Sequence, residues 1–284
     1  MIERFSRSWQ LIKASADVLR QDKELLVFPL VSTVAMLIVI ASFVTPIIAF
    51  DWGNQIEKGG DPTPLMYAYL FVFYLVQYFV IFFFNSALVG AAMIRLEGGD
   101  PTVADGLRIA FSRIGTIFGY ALIAATVGLI LRMIEERAGA IGKWIVALLG
   151  AAWTVASFLA VPVLVSQNVG PLEAVKRSVE LLKKSWGENI IGNAGIGLVF
   201  GLVSFLVAIV GFGLALALAS ASSAFNVQLF VTFAGLTVIA ILILALVQAA
   251  LSGIYAAAVY RYAEHGNAGG AFDNQLLSSA FRQR

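Results

Sequence analysis

The 284-residue chain has no cysteine and a single histidine, His265. Disulfides, thiolate metal centres and cysteine nucleophiles are excluded, and imidazole chemistry is confined to one position. Charge is also scarce. Asp, Glu, Lys and Arg together make 13% of the residues, about half the share found in soluble domains. Walker, dinucleotide-binding, zinc and serine-hydrolase patterns are missing. No ionisable residue falls at the middle of any long apolar run, where ion-coupled carriers place one. With a net charge of only +2, nothing marks a nucleic-acid surface. The composition predicts a non-enzymatic protein without a cofactor, and it argues against a coupled pump.

What is abundant is hydrocarbon: 60% of the chain is hydrophobic. Uncharged runs cover 25–50, 62–94, 114–131, 144–172 and 189–260. About 20 apolar residues at 1.5 Å each cross a ~30 Å hydrocarbon layer. Four runs are single spans, and the fifth must fold back at "ASASSAFN", 219–226. Six transmembrane helices follow, near 25–50, 64–94, 114–134, 143–168, 189–218 and 227–262. The charged start of the chain is unlike a signal peptide. Pro46 and Pro162 are candidate kinks in spans 1 and 4.

Fifteen of the 19 lysines and arginines precede span 1, follow spans 2 and 4, or lie at or beyond the end of span 6 (Arg261, Arg282 and Arg284). The positive-inside rule then predicts a multi-pass protein of the cytoplasmic (inner) membrane with both termini cytoplasmic. Three segments on that basic side carry helical apolar stripes. They are Phe5-Trp9-Ile12-Ala16-Leu19, Val103-Leu107-Ala110-Ile114-Ile117 and Leu172-Val175-Val179-Leu182-Trp186. Each precedes a pair of spans. The fold class expected is all-α: a polytopic membrane helical bundle with three interfacial amphipathic helices. It reads as one membrane domain of three helix-plus-hairpin units, 1–94, 95–168 and 169–265, with a flexible tail at 266–284. "GGDPTP" (59–64) and "GGDPTV" (98–103) read as turns, with Asp as a local cap.

The segment "GPLEAVKRSVELLKKSWGENIIGN" (170–193) concentrates charge between uncharged runs. Pro171 suits a helix start, Glu173 its first turn and Gly187 its end. Glu173–Arg177, Lys176–Glu180 and Glu180–Lys184 are i,i+4 pairs. With Leu172, Val179 and Trp186 turned inward, Lys176, Arg177, Lys183 and Lys184 become candidate contacts for anionic lipid.

Inside the membrane, small residues at 194, 197, 201, 204, 208, 211 and 215 stripe span 5 and predict a central, closely packed helix, with a homo-oligomer seam as the alternative. A shorter stripe, Ala245-Ala249-Gly253-Ala257, marks span 6. Span 2 carries ten aromatics between Tyr67 and Phe84 on every face, a pattern expected to meet lipid, with an aromatic wall for a lipid tail or other apolar ligand as the alternative to packing. The candidate intramembrane polar groups are Gln77, Asn85, Asn193 and Gln248, each suited to an interhelical hydrogen bond. Carboxylates at 97, 100, 105, 173 and 188 are a weaker candidate for a metal or acid/base pair, and more ordinarily caps and ion-pair partners.

The stretches "SWQLIKASADVLRQDKELLVFPLVS" (8–32), "RLEGGDPTVADGL" (95–107) and the 170–197 segment resemble a family of uncharacterised prokaryotic six-span membrane proteins of unknown function. A more distant resemblance is to the membrane domain attached to glycerophosphodiester phosphodiesterases, without the phosphodiesterase domain itself. The resemblance implies architecture alone. Two functions remain open: a lipid-organising, scaffold or assembly subunit, with membrane lipids and a homo-oligomer or membrane complex as partners, or a passive transporter, channel or lipid-translocating protein.

Overall fold

The computed structural model describes residues 2–50, 63–184, 189–221, 226–269 and 272. In chain order the helices are α1 (Ile2–Gln21), α2 (Val27–Ala49, after a 3-10 turn at Lys23–Leu26), α3 (Pro64–Leu96), α4 (Val103–Ser112) and α5 (Ile114–Arg137). Then come α6 (Ala140–Ala156), α7 (Ala160–Ser166), α8 (Pro171–Lys184), α9 (Asn189–Ala219) and α10 (Val227–His265). No strand occurs among the described residues. Among the described residues six helical segments are long and apolar enough to cross a membrane: Lys23–Ala49, Pro64–Leu96, Ile114–Arg137, Gly142–Ser166, Ile196–Ala219 and Val227–His265. The molecule is a helical membrane bundle.

The 33 residues of α3 and 39 of α10 run about 50 and 58 Å, against a hydrocarbon layer of ~30 Å. In both helices burial is concentrated at one end. In α3 the buried stretch is Ser86–Met93 with Phe83 and Leu96, and in α10 it is Ala250–Leu251 and Gly253–Tyr260. Around these stretches pack α1, α4, α7 and α8, forming what we term the basic end. The other half of each long helix, together with most of α2, α6 and α9, exposes large apolar residues such as Leu37, Leu148, Phe205 and Leu236.

The centre of the bundle is α3, packed on α2, α4, α5, α7 and α10. Of its ten aromatics only Phe83 is buried and the other nine are half-buried, so the rings divide between helix contacts and the open surface expected to meet lipid. Tyr78 stacks on Phe82 at 5.7 Å, and Phe82 packs tilted on Tyr120 of α5 at 4.5 Å. The approach of α4 to α3 relies on two glycines. A Cβ on Gly106 would stand 2.7 Å from the Ala87 carbonyl, and one on Gly90 2.9 Å from Ile109.

By contrast, α9 packs on α10 and α1 and, among the described residues, has no other extensive contact. The small residues of span 5 mark a hairpin seam rather than a bundle centre. Ala215 and Ala219 are buried, and Gly211 abuts Thr237 so closely that a Cβ would overlap its hydroxyl. Gly201 faces open space. On α10, Ala245 and Ala249 are exposed while Gly253 and Ala257 are buried, so that stripe leaves the interface halfway along.

Turn chemistry follows the expected residues with one change. Thr102, not Asp100, caps α4, in a reciprocal box with Asp105, while Asp100 bonds Arg95 at 2.7 Å. Thr63 and Asn226 cap α3 and α10, and α10 closes on Gly266 at φ 72°. The residues just beyond, expected as part of a flexible tail, fold back: Ala268 and Phe272 are buried, and Arg261 donates to the Ala268 carbonyl at 3.2 Å. Residues 51–62, 185–188, 222–225 and 273–284, with Trp186, Gly187 and Glu188, lie outside the described residues, as does the Phe5 side chain.

Overpacking of a closely fitted contact costs about 1–3 kcal/mol. Gly211→Leu should lower thermal stability in detergent by that order, whereas Gly201→Leu should change it little. Equal losses at both would mean that α9 is enclosed on a face that here is open.

Candidate functional site

The charged helix α8 docks on α5, α6, α7 and α10. Its first residue, Pro171, closes on Gly119 of α5, where a Cβ would stand 3.0 Å from the proline ring. The face turned to the protein is Ala174, Ser178, Leu181 and Leu182. It lies about one residue, ~100°, from the expected stripe. Leu172, expected inside, is 65% exposed, and Val179 is half-buried. The cause is packing distance: small Ala174 and Ser178 let α8 come close, and bulky Leu172 is left at the boundary.

Lys176, Arg177 and Lys183 are all exposed; the side chains of Lys184 and Asn193 lie outside the described set. Arg177 sits between two carboxylates, 3.8 Å from both Glu173 and Glu180. Glu180 thus pairs with Arg177 rather than with Lys176. One edge of α8 consequently presents Leu172, Lys176, Val179 and Lys183 in sequence, and the neighbouring edge holds the ion-paired residues.

The docking surface of α8 is a break in span 4. Pro162 has no N–H to give the Phe158 carbonyl and its ring crowds that group. The helix ends at Ala156, tightens through a turn at 157–159 and restarts as α7. Ala160 N–H reaches back only to the Ser157 carbonyl, at 3.0 Å. The orphaned Leu159 N–H is received by the Ser178 hydroxyl at 3.0 Å, with both residues fully buried. This link was not legible in the sequence. Its only trace is the small pair Ala174/Ser178 one turn apart.

A belt of ion pairs ties the rest of the basic end. Asp22, 4% exposed, lies 3.5 Å from Arg95, and Arg95 also holds Asp100. Neither Asp22 Oδ2 nor Arg95 Nε has a hydrogen-bond partner, so the two buried atoms are matched by charge alone. Burial pushes the Asp22 carboxyl above its ordinary range, against the opposing pull of Arg95. Glu24 accepts from the Val103 N–H at 3.0 Å, fastening the 3-10 turn to α4. Hydrogen bonds from the Thr102 side chain and backbone hold Asp105 below the usual range. Arg261 pairs with Glu97, and Arg113 donates to Asn168 at 2.6 Å. The carboxylates 97, 100, 105 and 173 are thus separate caps and pair partners. Among the described residues no group of three metal-ligating side chains gathers.

The intramembrane polar residues are not brought to one place by these contacts. Asn85 faces α10, its Oδ1 3.5 Å from where Gly253 would carry a Cβ. Gln248 faces Gly197 of α9, and Gln77 is half-buried on α3. Nearer the basic end, Gln167 donates to the Tyr260 hydroxyl at 3.0 Å. Between α9 and α10 lies an open apolar groove of about 440 Å³ flanking Gly211 and Thr237.

Residues 65–270 match a family of unknown function (DUF6159), and the chain belongs to that family. No curated protein matches it, and the comparisons give no support to the distant likeness to the phosphodiesterase-linked membrane domain.

Ser178→Ala removes the acceptor of a buried N–H, a loss of about 1–3 kcal/mol. Ser15→Ala, where the hydroxyl only donates to its own helix at Leu11, should cost clearly less. Thermal unfolding of the two variants side by side checks the order. A second outcome concerns pH. Because the Asp22 pKa is raised on folding, its protonation favours the native state at low pH, and this contribution is lost as pH rises through the folded pKa. Asp22→Asn should therefore equal or exceed the wild type in stability at neutral pH and lose that advantage on acidification. A widening advantage at low pH would reverse the sign.

Proposed function

We propose that this protein is a non-enzymatic integral membrane protein that organises anionic lipid at one leaflet and serves as a scaffold or assembly subunit there. The observation that carries the reading is the edge of α8 on which exposed Lys176 and Lys183 alternate with Leu172 and Val179. Lysine stems lie along apolar surface while their ammonium groups reach phosphates. The neighbouring Arg177 is engaged by two carboxylates of its own helix and is subtracted from the expected lipid contacts. The edge belongs to a helix fixed to four others, so it presents its cations from a rigid support. We place the basic end at the cytoplasmic leaflet of the inner membrane on the charge asymmetry of the loops.

The alternative, a passive transporter or lipid-translocating protein, requires Gln77, Asn85, Asn193 and Gln248 to line one polar path. Asn85 and Gln248 are instead turned to different helices, which favours the scaffold reading.

Each cation near an anionic surface contributes about 1 kcal/mol, or roughly fivefold in affinity. Lys176→Glu/Lys183→Glu should thus reduce phosphatidylglycerol retained in native mass spectrometry by an order of magnitude or more, with a smaller loss at high salt. Arg177→Gln should leave retention nearly unchanged. Unaltered retention in the double variant would end the lipid reading, and solute flux through reconstituted vesicles would support the alternative.

A further inference from the structure

The three helices of the basic end share more than an amphipathic pattern. On α8 the exposed edge begins at Leu172, and the fully or nearly fully buried positions follow two, six and nine residues later, at Ala174, Ser178 and Leu181. On α1 the same offsets from Trp9 give Leu11, Ser15 and Val18, all buried to the same degree. On the shorter α4 they give, from Ala104, Gly106 and Ala110, again buried. The sixth-offset residue is small and wholly buried in all three: Ser15, Ala110 and Ser178. Residues at offsets zero, four, seven and eleven share a helix edge, because 3.6 residues make a turn.

That edge repeats in chemistry too. On α1 it reads Trp9, Lys13, Ala16, Arg20; on α8, Leu172, Lys176, Val179, Lys183; on α4, Ala104, Arg108, Phe111 before the helix ends. A cation stands at offset four each time and is exposed each time. The carboxylates fall on the next edge round, Asp17 and Glu180 at offset eight, Asp105 and Glu173 at offset one. Core, cation edge and acidic edge thus follow in the same rotational order in all three helices. A large apolar side chain is left outside on each: Trp9 is 45%, Phe111 59% and Leu172 65% exposed.

The edges adjoin the membrane-spanning surface. Phe111 packs on Phe83 with centroids 4.9 Å apart, and the rings continue through Phe79 to exposed Phe118 of α5 at 6.0 and 5.8 Å. On α1 the Lys13 ammonium lies 5.9 Å from the Trp9 ring, with the ring itself free to enter an acyl boundary.

We infer that α1, α4 and α8 are three register-matched copies of one element, and that each repeated edge binds the phosphate headgroups of anionic phospholipid while its bulky apolar residue enters the acyl boundary. The bundle then holds lipid at three positions around its basic end instead of at α8 alone. This rests on the proposed lipid reading and extends it to Lys13 and Arg20 with Trp9, and to Arg108 with Phe111. Arg20, 3.6 Å from Asp17, and Arg108, 3.1 Å from Asp105, are each paired on their own helix. Lys13 is therefore the main cation of the α1 edge, and the α4 edge, without a lysine, is the weakest of the three.

The test uses the full chain in phosphatidylglycerol-containing nanodiscs and native mass spectrometry. Lys13→Glu/Arg20→Glu should lower phosphatidylglycerol retention about fivefold or more, carried mainly by Lys13, against the larger loss of the two unpaired cations in Lys176→Glu/Lys183→Glu. Combining the pairs should compound the losses. Phosphatidylglycerol brominated near the top of its acyl chains should quench tryptophan emission in the wild type, and Trp9→Phe should remove part of that quenching. Should the α8 pair alone lower retention, the repeat is overturned while the lipid reading stands. If neither pair does, both fall. Should excess inorganic phosphate displace the lipid, the edge is a small-anion site and the inference is likewise overturned. The quenching measurement on wild-type protein stands independently of whether the α1 charge variant folds.

Discussion

Apolar side chains gain nothing by leaving lipid for protein, and this constraint shapes the whole molecule. In the hydrocarbon layer helices associate through close contact alone, so α9 leans on α10 along one narrow seam and leaves most of its surface exposed. In α3 and α10 burial is concentrated at one end, where small residues let other helices approach closely, and four further helices pack around those stretches. Cohesion sits at the basic end, and the spans hang from it.

The same accounting extends to the backbone. A helix broken by proline inside a membrane protein must find partners for the groups it releases. Span 4 does so by borrowing from outside itself, since Leu159 N–H is completed by Ser178 of the following helix. α8 is thereby part of the span's own hydrogen bonding as well as a cover over it. A substitution on α8 that moves Ser178 reaches directly into span 4, and the lysines on the far edge share that rigid mounting.

Much of this was legible in the sequence, because hydropathy and length dominate in lipid. The six spans, the starts of α4 and α8, and the existence of three charged helices all follow from run lengths, Pro171 and periodicity. What was not legible is which way those helices turn. On α1 and α8 a stripe drawn through the largest apolar residues selects Trp9, Val179 and Leu172, yet close docking selects Ser15 and Ser178, which hydropathy ranks low, whereas Ala110 of the expected α4 stripe is buried. Likewise, a glycine stripe says that something approaches closely without saying what: Gly211 meets Thr237, while Gly201 meets nothing. The aromatics of α3 show the same limit, since composition does not say that Phe83 is buried while the other nine rings stay half-buried.

The cations divide by type. Among the described residues no lysine joins a salt bridge, whereas Arg20, Arg95, Arg108, Arg132, Arg177 and Arg261 all do. A planar guanidinium satisfies two partners at fixed angles, as Arg95 does with Asp22 and Asp100, and Arg261 with Glu97 and the Ala268 carbonyl. An ammonium is a mobile point charge better kept for a surface that rearranges. Arginine is largely engaged in ion pairs, within one helix at Arg20, Arg108, Arg132 and Arg177 and between elements at Arg95 and Arg261. The exposed charge outside such pairs is thus carried mainly by lysines such as Lys13, Lys176 and Lys183. A count of basic residues therefore overstates the free cationic surface, and the proposed lipid contacts are those where lysine and an exposed apolar side chain share an edge.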